Sequence, residues 1–182
     1  MNILIICTGN LCRSQLAAAY LSQLVEHHNL EDVNIETAGI KAVGNVKIPA
    51  GIKEVARESQ LKLGSEFGKQ INLAMLQRAD VILVMEYAQA SHLLEMYPKV
   101  LSRVHIIGKY DPQKKLSKEI QDPVSFDYKH CLVIYEELKR CLDGFFYTEV
   151  LTQNMVEGGK SSQAEEEKDE NEDPLHFDFS FN

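Results

Sequence analysis

The hardest constraint on this chain is the abrupt change of pattern between residues 2 and 24. Residues 2–6 are an Ile- and Leu-rich run too short for a helix of its own, which predicts a buried parallel strand. It stops at Cys7, and residues 15–24 then carry a helical pattern. Residues 8–13, Thr-Gly-Asn-Leu-Cys-Arg, therefore form a strand-to-helix loop whose backbone N–H groups converge at a helix N-terminus, the physical setting for binding an oxyanion. A thiol under such a cradle, with an arginine nearby, is favoured as its thiolate and becomes a nucleophile aimed at the bound anion.

Phosphate suits this loop better than a carboxylate does. Its several oxygens absorb the N–H donors of Thr8, Gly9, Asn10, Leu11 and Cys12, while Arg13 supplies a planar fork for two of them. Gly9 is expected to let the backbone approach closely, Asn10 to take a left-handed conformation, and Ser14 to donate its hydroxyl to the Cys7 thiolate. A phosphate ester also needs an acid, because the departing oxygen takes a proton as the P–O bond breaks. Two Asp-Pro steps, Asp111-Pro112 and Asp122-Pro123, lie on the long loop 108–125, and spacing alone does not separate them.

Down the chain, strands are expected near residues 33–37, 80–85 and 104–107, and helices near 49–61, 73–78, 89–96 and 128–148. This alternation predicts an α/β fold with a parallel sheet covered on both faces and the ligand at the carboxyl ends of the strands. With 182 residues the chain suits one domain, residues 1–150. The net charge of −8 is lopsided: from residue 155 to 182 there are nine acidic residues against two lysines. The body then carries almost no net charge and no basic stripe for nucleic acid, and the acidic tail is expected to be disordered. Its last residues, Leu175 to Phe181, alternate apolar and polar side chains, a pattern suited to adding a strand to a partner's sheet. No apolar run approaches the ~20 residues of a membrane span, and the opening lacks a signal-peptide pattern, so no membrane association and a cytoplasmic location are expected. Cys7, Cys12, Cys131 and Cys141 have no zinc-ligand spacing and read as reduced thiols, the last two as buried packing residues.

CTGNLCRS at 7–14 resembles the active-site loop of the low-molecular-weight protein tyrosine phosphatases, and TAG at 37–39, RADVILVM at 78–85, GKYDPQKK at 108–115 and EIQDP at 119–123 match that family in the same order. The resemblance implies a flavodoxin-like, four-stranded parallel sheet of order 2-1-3-4. It also implies hydrolysis of phosphotyrosine in protein substrates through a phosphocysteine on Cys7, with Arg13 and the loop binding phosphate and with no metal or cofactor. It assigns the general acid to Asp122. It further implies that Thr37 supports the phosphate loop, that Glu86 stands where an Asp is common, and that Cys12 protects Cys7 through a reversible disulfide.

Departures from the family bear on the substrate. Gln15 replaces a usual Pro, Ala18 a usual Glu and Glu66 a frequent His, and Val124-Ser125 replaces an aromatic pair that walls the phosphotyrosine slot. Gln15 is shared with thioredoxin-coupled arsenate reductases of related sequence, which makes that activity the runner-up. It needs two further redox cysteines near residues 80–95, where this chain has none. A third reading, a non-catalytic phosphate-binding scaffold acting through the acidic tail, has no use for a nucleophile and an acid.

Overall fold

The computed structural model describes residues 1–153, and the acidic tail expected at 155–182 lies outside the described residues. Four strands, β1 (Asn2–Cys7), β2 (Asn34–Gly39), β3 (Val81–Val84) and β4 (Val104–Ile106), form one parallel sheet in the order β2-β1-β3-β4, as the alternation and the resemblance predict. Five helices connect and cover it: α1 (Arg13–His27), α2 (Ala50–Glu58), α3 (Leu73–Arg78), α4 (Tyr87–Met96) and α5 (Tyr128–Phe145).

The two-residue period of β1 explains the layering. Ile3, Ile5 and Cys7 face one apolar cluster with Leu16 and Leu21 of α1, Ile52 and Val55 of α2, and Leu138 and Leu142 of α5. Leu4 and Ile6 face the opposite cluster with Met75 and Leu76 of α3, Ile82 and Val84 of β3, and Leu93 of α4. Both faces are therefore dry, which is why a run so uniformly apolar was a strand and not a half-exposed one. Truncating a side chain such as Ile5 to Ala would cost ~2–5 kcal/mol.

Several boundaries differ from the sequence reading. Helix α1 begins at Arg13, not residue 15, so Arg13 and Ser14 belong to its first turn. Strand β2 runs on to Gly39 because its pairing with β1 extends to the register Cys7↔Gly39. Helix α4 starts at Tyr87, whose N–H donates to Glu119 Oε1 at 2.8 Å, so a distant loop satisfies the helix start. The α-helical part of the last helix stops at Phe145 and a π turn follows over Phe146–Val150. Phe145, Phe146 and Val150 are all fully buried, and the wider turn brings them to one face. Among the described residues no helix is long and apolar enough to cross a membrane.

Candidate active site

The sheet delivers Cys7 at the end of a central strand, and residues 8–12 turn directly into α1. The loop is held from outside through its carbonyls: Ile40 N–H donates to Cys7 O at 3.0 Å and Lys41 N–H to Thr8 O at 2.8 Å. Among the described residues the N–H groups of Thr8 to Cys12 donate to no other group of the protein, which leaves them for an anion. Asn10 takes the left-handed conformation expected of it, with φ 56°. Its carbonyl Oδ1 accepts from Lys69 N–H at 2.9 Å and from Gln15 Nε2 at 3.2 Å, so the turn is fixed by side-chain hydrogen bonds as well as backbone ones.

The side-chain position of Gly9 itself makes no close contact with other described residues. A Cβ built on Gly9 would meet only the Leu11 side chain, at 3.8 Å, and its φ is not positive. The close approach belongs to Gly39 and Gly68: a Cβ on Gly39 would lie 2.8 Å from Gly9 C and Thr8 O, and one on Gly68 would lie 2.7 Å from Gly9 O. The glycines that the loop requires are thus on the segments that embrace it.

Beneath the loop, Cys7 Sγ and Ser14 Oγ are 3.0 Å apart. Asn10 Nδ2 donates to Ser14 Oγ at 2.8 Å, which leaves the serine hydrogen free to point at the sulfur. Gln15, in place of the family's usual Pro, bonds Asn10 O at 3.2 Å and Thr37 Oγ1 at 3.4 Å, so Thr37 reaches the loop through Gln15.

Arg13 is wholly buried and is the hub of the site. Its Nη1 donates to Ile120 O at 2.7 Å and to the Glu86 carboxylate, and its Nη2 donates to Thr8 Oγ1 at 3.3 Å and pairs with Asp122 Oδ1 at 2.6 Å. Its Nε is buried without a hydrogen-bond partner among the described residues, a donor left for an oxygen of a bound anion. Gln89, buried at the start of α4, bonds Thr8 Oγ1 at 3.2 Å and Glu86 Oε1 at 3.2 Å. Gln89 and the Ile120 carbonyl carry no motif of their own, and the sequence reading passed over them.

The structure separates the two Asp-Pro steps. Asp122 is half-exposed on the guanidinium of Arg13. Loss of hydration pushes its proton affinity up, and repulsion from Glu86 adds to this; the attraction of Arg13 opposes both without cancelling them, so the carboxyl titrates above the ordinary range. Asp111 is buried and engaged elsewhere, accepting from Gln113 N–H at 2.8 Å and from Arg140 Nε at 3.2 Å. The loop carrying Asp122 is anchored by the buried Ile120, whose N–H donates to Met85 O at 2.9 Å. Val124, at the position of the family's aromatic wall, is 94% exposed.

Residues 2–157 match the family model described as low molecular weight phosphotyrosine protein phosphatase. The low molecular weight protein-tyrosine-phosphatase Wzb of Escherichia coli K12 is 34% identical over 140 residues, covering 76% of this chain and 88% of that protein. The crystal structure of the tyrosine phosphatase Wzb from Escherichia coli K30 in complex with sulphate superposes with a TM-score of 0.67 at 27% identity, covering 78% of this chain and 93% of that one. The YwlE arginine phosphatase from Geobacillus stearothermophilus shares the fold, with a TM-score of 0.71 at 24% identity over 86% of this chain and 96% of its own. The chain belongs to the low molecular weight phosphotyrosine protein phosphatase family.

Proposed function

We propose that the protein hydrolyses phosphotyrosine in protein substrates in two steps, with Cys7 as nucleophile, Arg13 and the amides of residues 8–12 as the phosphate cradle, and Asp122 as general acid and then base. The observation that supports this reading is the set of groups gathered at one loop and its arginine: a sulfur 3.0 Å from a serine hydroxyl, five N–H groups without a partner among the described residues, a buried guanidinium whose Nε has none, and, paired with that guanidinium, a carboxyl of raised proton affinity. Binding alone would require neither the sulfur nor the acid. That a Wzb relative was crystallised with sulphate supports a cradle for tetrahedral oxyanions.

In the first step the thiolate attacks phosphorus in line while the N–H groups and Arg13 hold the equatorial oxygens, whose charge they are arranged to stabilise. Asp122 gives its proton to the departing phenolic oxygen, a contribution of roughly 10²–10⁴ in rate. In the second step the ionised Asp122 takes a proton from water, the water oxygen attacks phosphorus, and Cys7 leaves as a thiolate steadied by the Ser14 hydroxyl.

The test is a pair of variants assayed on aryl phosphates of graded leaving-group ability, with thioredoxin-dependent arsenate reduction measured beside them. Cys7→Ser is expected to lose turnover and keep vanadate binding. Asp122→Asn is expected to slow esters with poor leaving groups far more than activated ones. A Cys7→Ser protein as active as the parent would sink the covalent mechanism; the same leaving-group dependence in Asp111→Asn would move the acid to the other Asp-Pro step.

A further inference from the structure

A cavity of about 370 Å³ adjoins the phosphate loop, between α1, β2 and the segment 62–69, a size within the ~300–1,000 Å³ of small-molecule sites. Gln15 connects it to the loop. That side chain is 2% exposed; its Nε2 donates to Asn10 O and Asn10 Oδ1, both at 3.2 Å, and to Thr37 Oγ1 at 3.4 Å. A backbone carbonyl can only accept, so the amide nitrogen is fixed toward Asn10. Gln15 Oε1 is then left on the cavity that Gln15 lines, and it accepts from no group among the described residues. A buried amide oxygen without a donor calls for one. Two further lining groups are unmet: among the described residues the Ser22 hydroxyl has no hydrogen-bond partner, and the Thr37 hydroxyl accepts from Gln15 but donates to nothing. Of the charged groups along the cavity, Glu36 is held by Arg78 through contacts of 2.6–3.1 Å and Lys62 pairs with Glu26 at 3.2 Å, whereas the Lys69 ammonium comes no nearer than 3.7 Å to Glu36 Oε1. Lys69 is therefore the cation with charge to spare. Ala18, where the family commonly has Glu, leaves room beside these groups.

We propose that this cavity is an effector site for a small carboxylate that also carries a hydrogen-bond donor. The carboxylate meets the Lys69 ammonium and the hydroxyls of Ser22 and Thr37, and the donor meets Gln15 Oε1.

Occupancy is transmitted to the loop through hydrogen bonds. A donor on Gln15 Oε1 polarises the amide and strengthens what Nε2 gives to Asn10. Asn10 Nδ2 in turn donates to Ser14 Oγ at 2.8 Å, and Ser14 Oγ lies 3.0 Å from Cys7 Sγ. The filled cavity thus stiffens the loop in the shape that receives phosphate. Coupling of this kind is reciprocal, so effector and phosphate raise each other's affinity by the same factor. The coupling rests on the reading of the loop as a phosphate cradle; the binding site itself does not.

The experiment titrates 4-hydroxybutyrate into the isotope-labelled full chain, beside butyrate, which lacks the donor, and 1,4-butanediol, which lacks the carboxylate. Amide resonances are followed by NMR, and the inhibition constant of inorganic phosphate is measured on p-nitrophenyl phosphate hydrolysis with and without 4-hydroxybutyrate. Saturable shifts are expected at the Gln15 side-chain amide and at Ser22, Thr37 and Lys69, with butyrate and butanediol about tenfold weaker for want of one good contact. The inhibition constant of phosphate is expected to fall about fivefold. Ala18→Glu, which fills the cavity from within and brings its own carboxylate, is expected to give no response to 4-hydroxybutyrate. Should it fail to fold, Ser22→Leu, one turn further along the same face of α1, decides by the same criterion. The proposal is overturned by the absence of saturable shifts, by butyrate or butanediol binding as well, by shifts that phosphate abolishes, by a phosphate inhibition constant that does not move, or by a filled-cavity variant that responds like the parent. Phosphate that fails to inhibit even alone would reject the cradle reading, and the shifts of parent and Ala18→Glu would still decide the cavity.

Discussion

Replacing Gly39 by Ala tests whether the phosphate loop is shaped from outside. The added Cβ would sit 2.8 Å from Gly9 C and Thr8 O and 2.9 Å from Asn10 N, all backbone atoms of the loop. Ordinary contact begins near 3.4 Å, so loop and strand must part by about 0.6 Å, and no side-chain rotation relieves the clash. Displacement of about 1 Å at a reacting centre costs on the order of a hundredfold in rate, so a loss of kcat/KM of roughly ten- to a hundredfold is expected. Overpacking of this kind costs ~1–3 kcal/mol, and at about 2–4 °C per kcal/mol for a domain of this size the melting temperature should fall by several degrees. Gly9→Ala, inside the loop itself, is the control: its Cβ finds only the Leu11 side chain at 3.8 Å, so inorganic phosphate should bind with nearly parental affinity and the melting temperature should hold. The assay is kcat/KM on p-nitrophenyl phosphate, the inhibition constant of phosphate, and thermal unfolding of all three proteins. A Gly39→Ala enzyme within about twofold of the parent in kcat/KM would show that the loop has slack there and refute the reasoning.

Three further outcomes are expected. In Glu86→Gln, removing the negative charge that raises the proton affinity of Asp122 should let Asp122 ionise at lower pH, so the alkaline fall of kcat/KM moves to lower pH; a limb that stays put would mean another group sets it. Val124→Tyr should place a ring beside the slot and, at ~0.5–1.5 kcal/mol for a stacked pair, lower the Michaelis constant for phosphotyrosine about two- to tenfold with a similar kcat, whereas an unchanged constant would show that this loop does not line the slot. Asp111→Ala strips Arg140 Nε and Gln113 N–H of a buried acceptor and should cost ~1–3 kcal/mol in denaturant unfolding without altering the leaving-group dependence; a change in that dependence would implicate Asp111 in the chemistry.

What the sequence made legible were features whose cause is local. The uniform apolar run before Cys7, the helical period after it and the positive-φ preference of Asn10 each depend on a few adjacent residues, and β1, α1 and the loop were readable for that reason. Partners brought together by tertiary packing left no such trace. Glu86 reaches Arg13, and Gln89 reaches Thr8, only because β3 lies beside β1, and the Ile120 carbonyl reaches Arg13 only because its N–H is tied to Met85. Gly9 drew attention by standing in the motif, but the steric demand falls on Gly39, thirty positions away and paired with Cys7 in the sheet. Cys131 and Cys141 were read as buried packing residues from the helical pattern around them, and both are fully buried in the apolar cluster. The π turn after α5 answers to the burial of Phe145, Phe146 and Val150, a property of the surroundings and not of the helical pattern.

The crowding of one guanidinium by two carboxylates has a consequence for when the catalytic proton arrives. Arg13 Nη2 pairs with Asp122, and Glu86 shares Nη1. A phosphate dianion that claims the Nε–Nη2 edge displaces Asp122 from its counter-charge and brings further negative charge against it. Both changes should raise the affinity of Asp122 for a proton, so that, under the proposed role of Asp122 as acid, binding is expected to load it from solvent before the P–O bond stretches. Binding of inorganic phosphate should then draw protons from the buffer: calorimetric enthalpies measured near neutral pH in buffers of different ionisation enthalpy should diverge for the parent and coincide for Asp122→Asn.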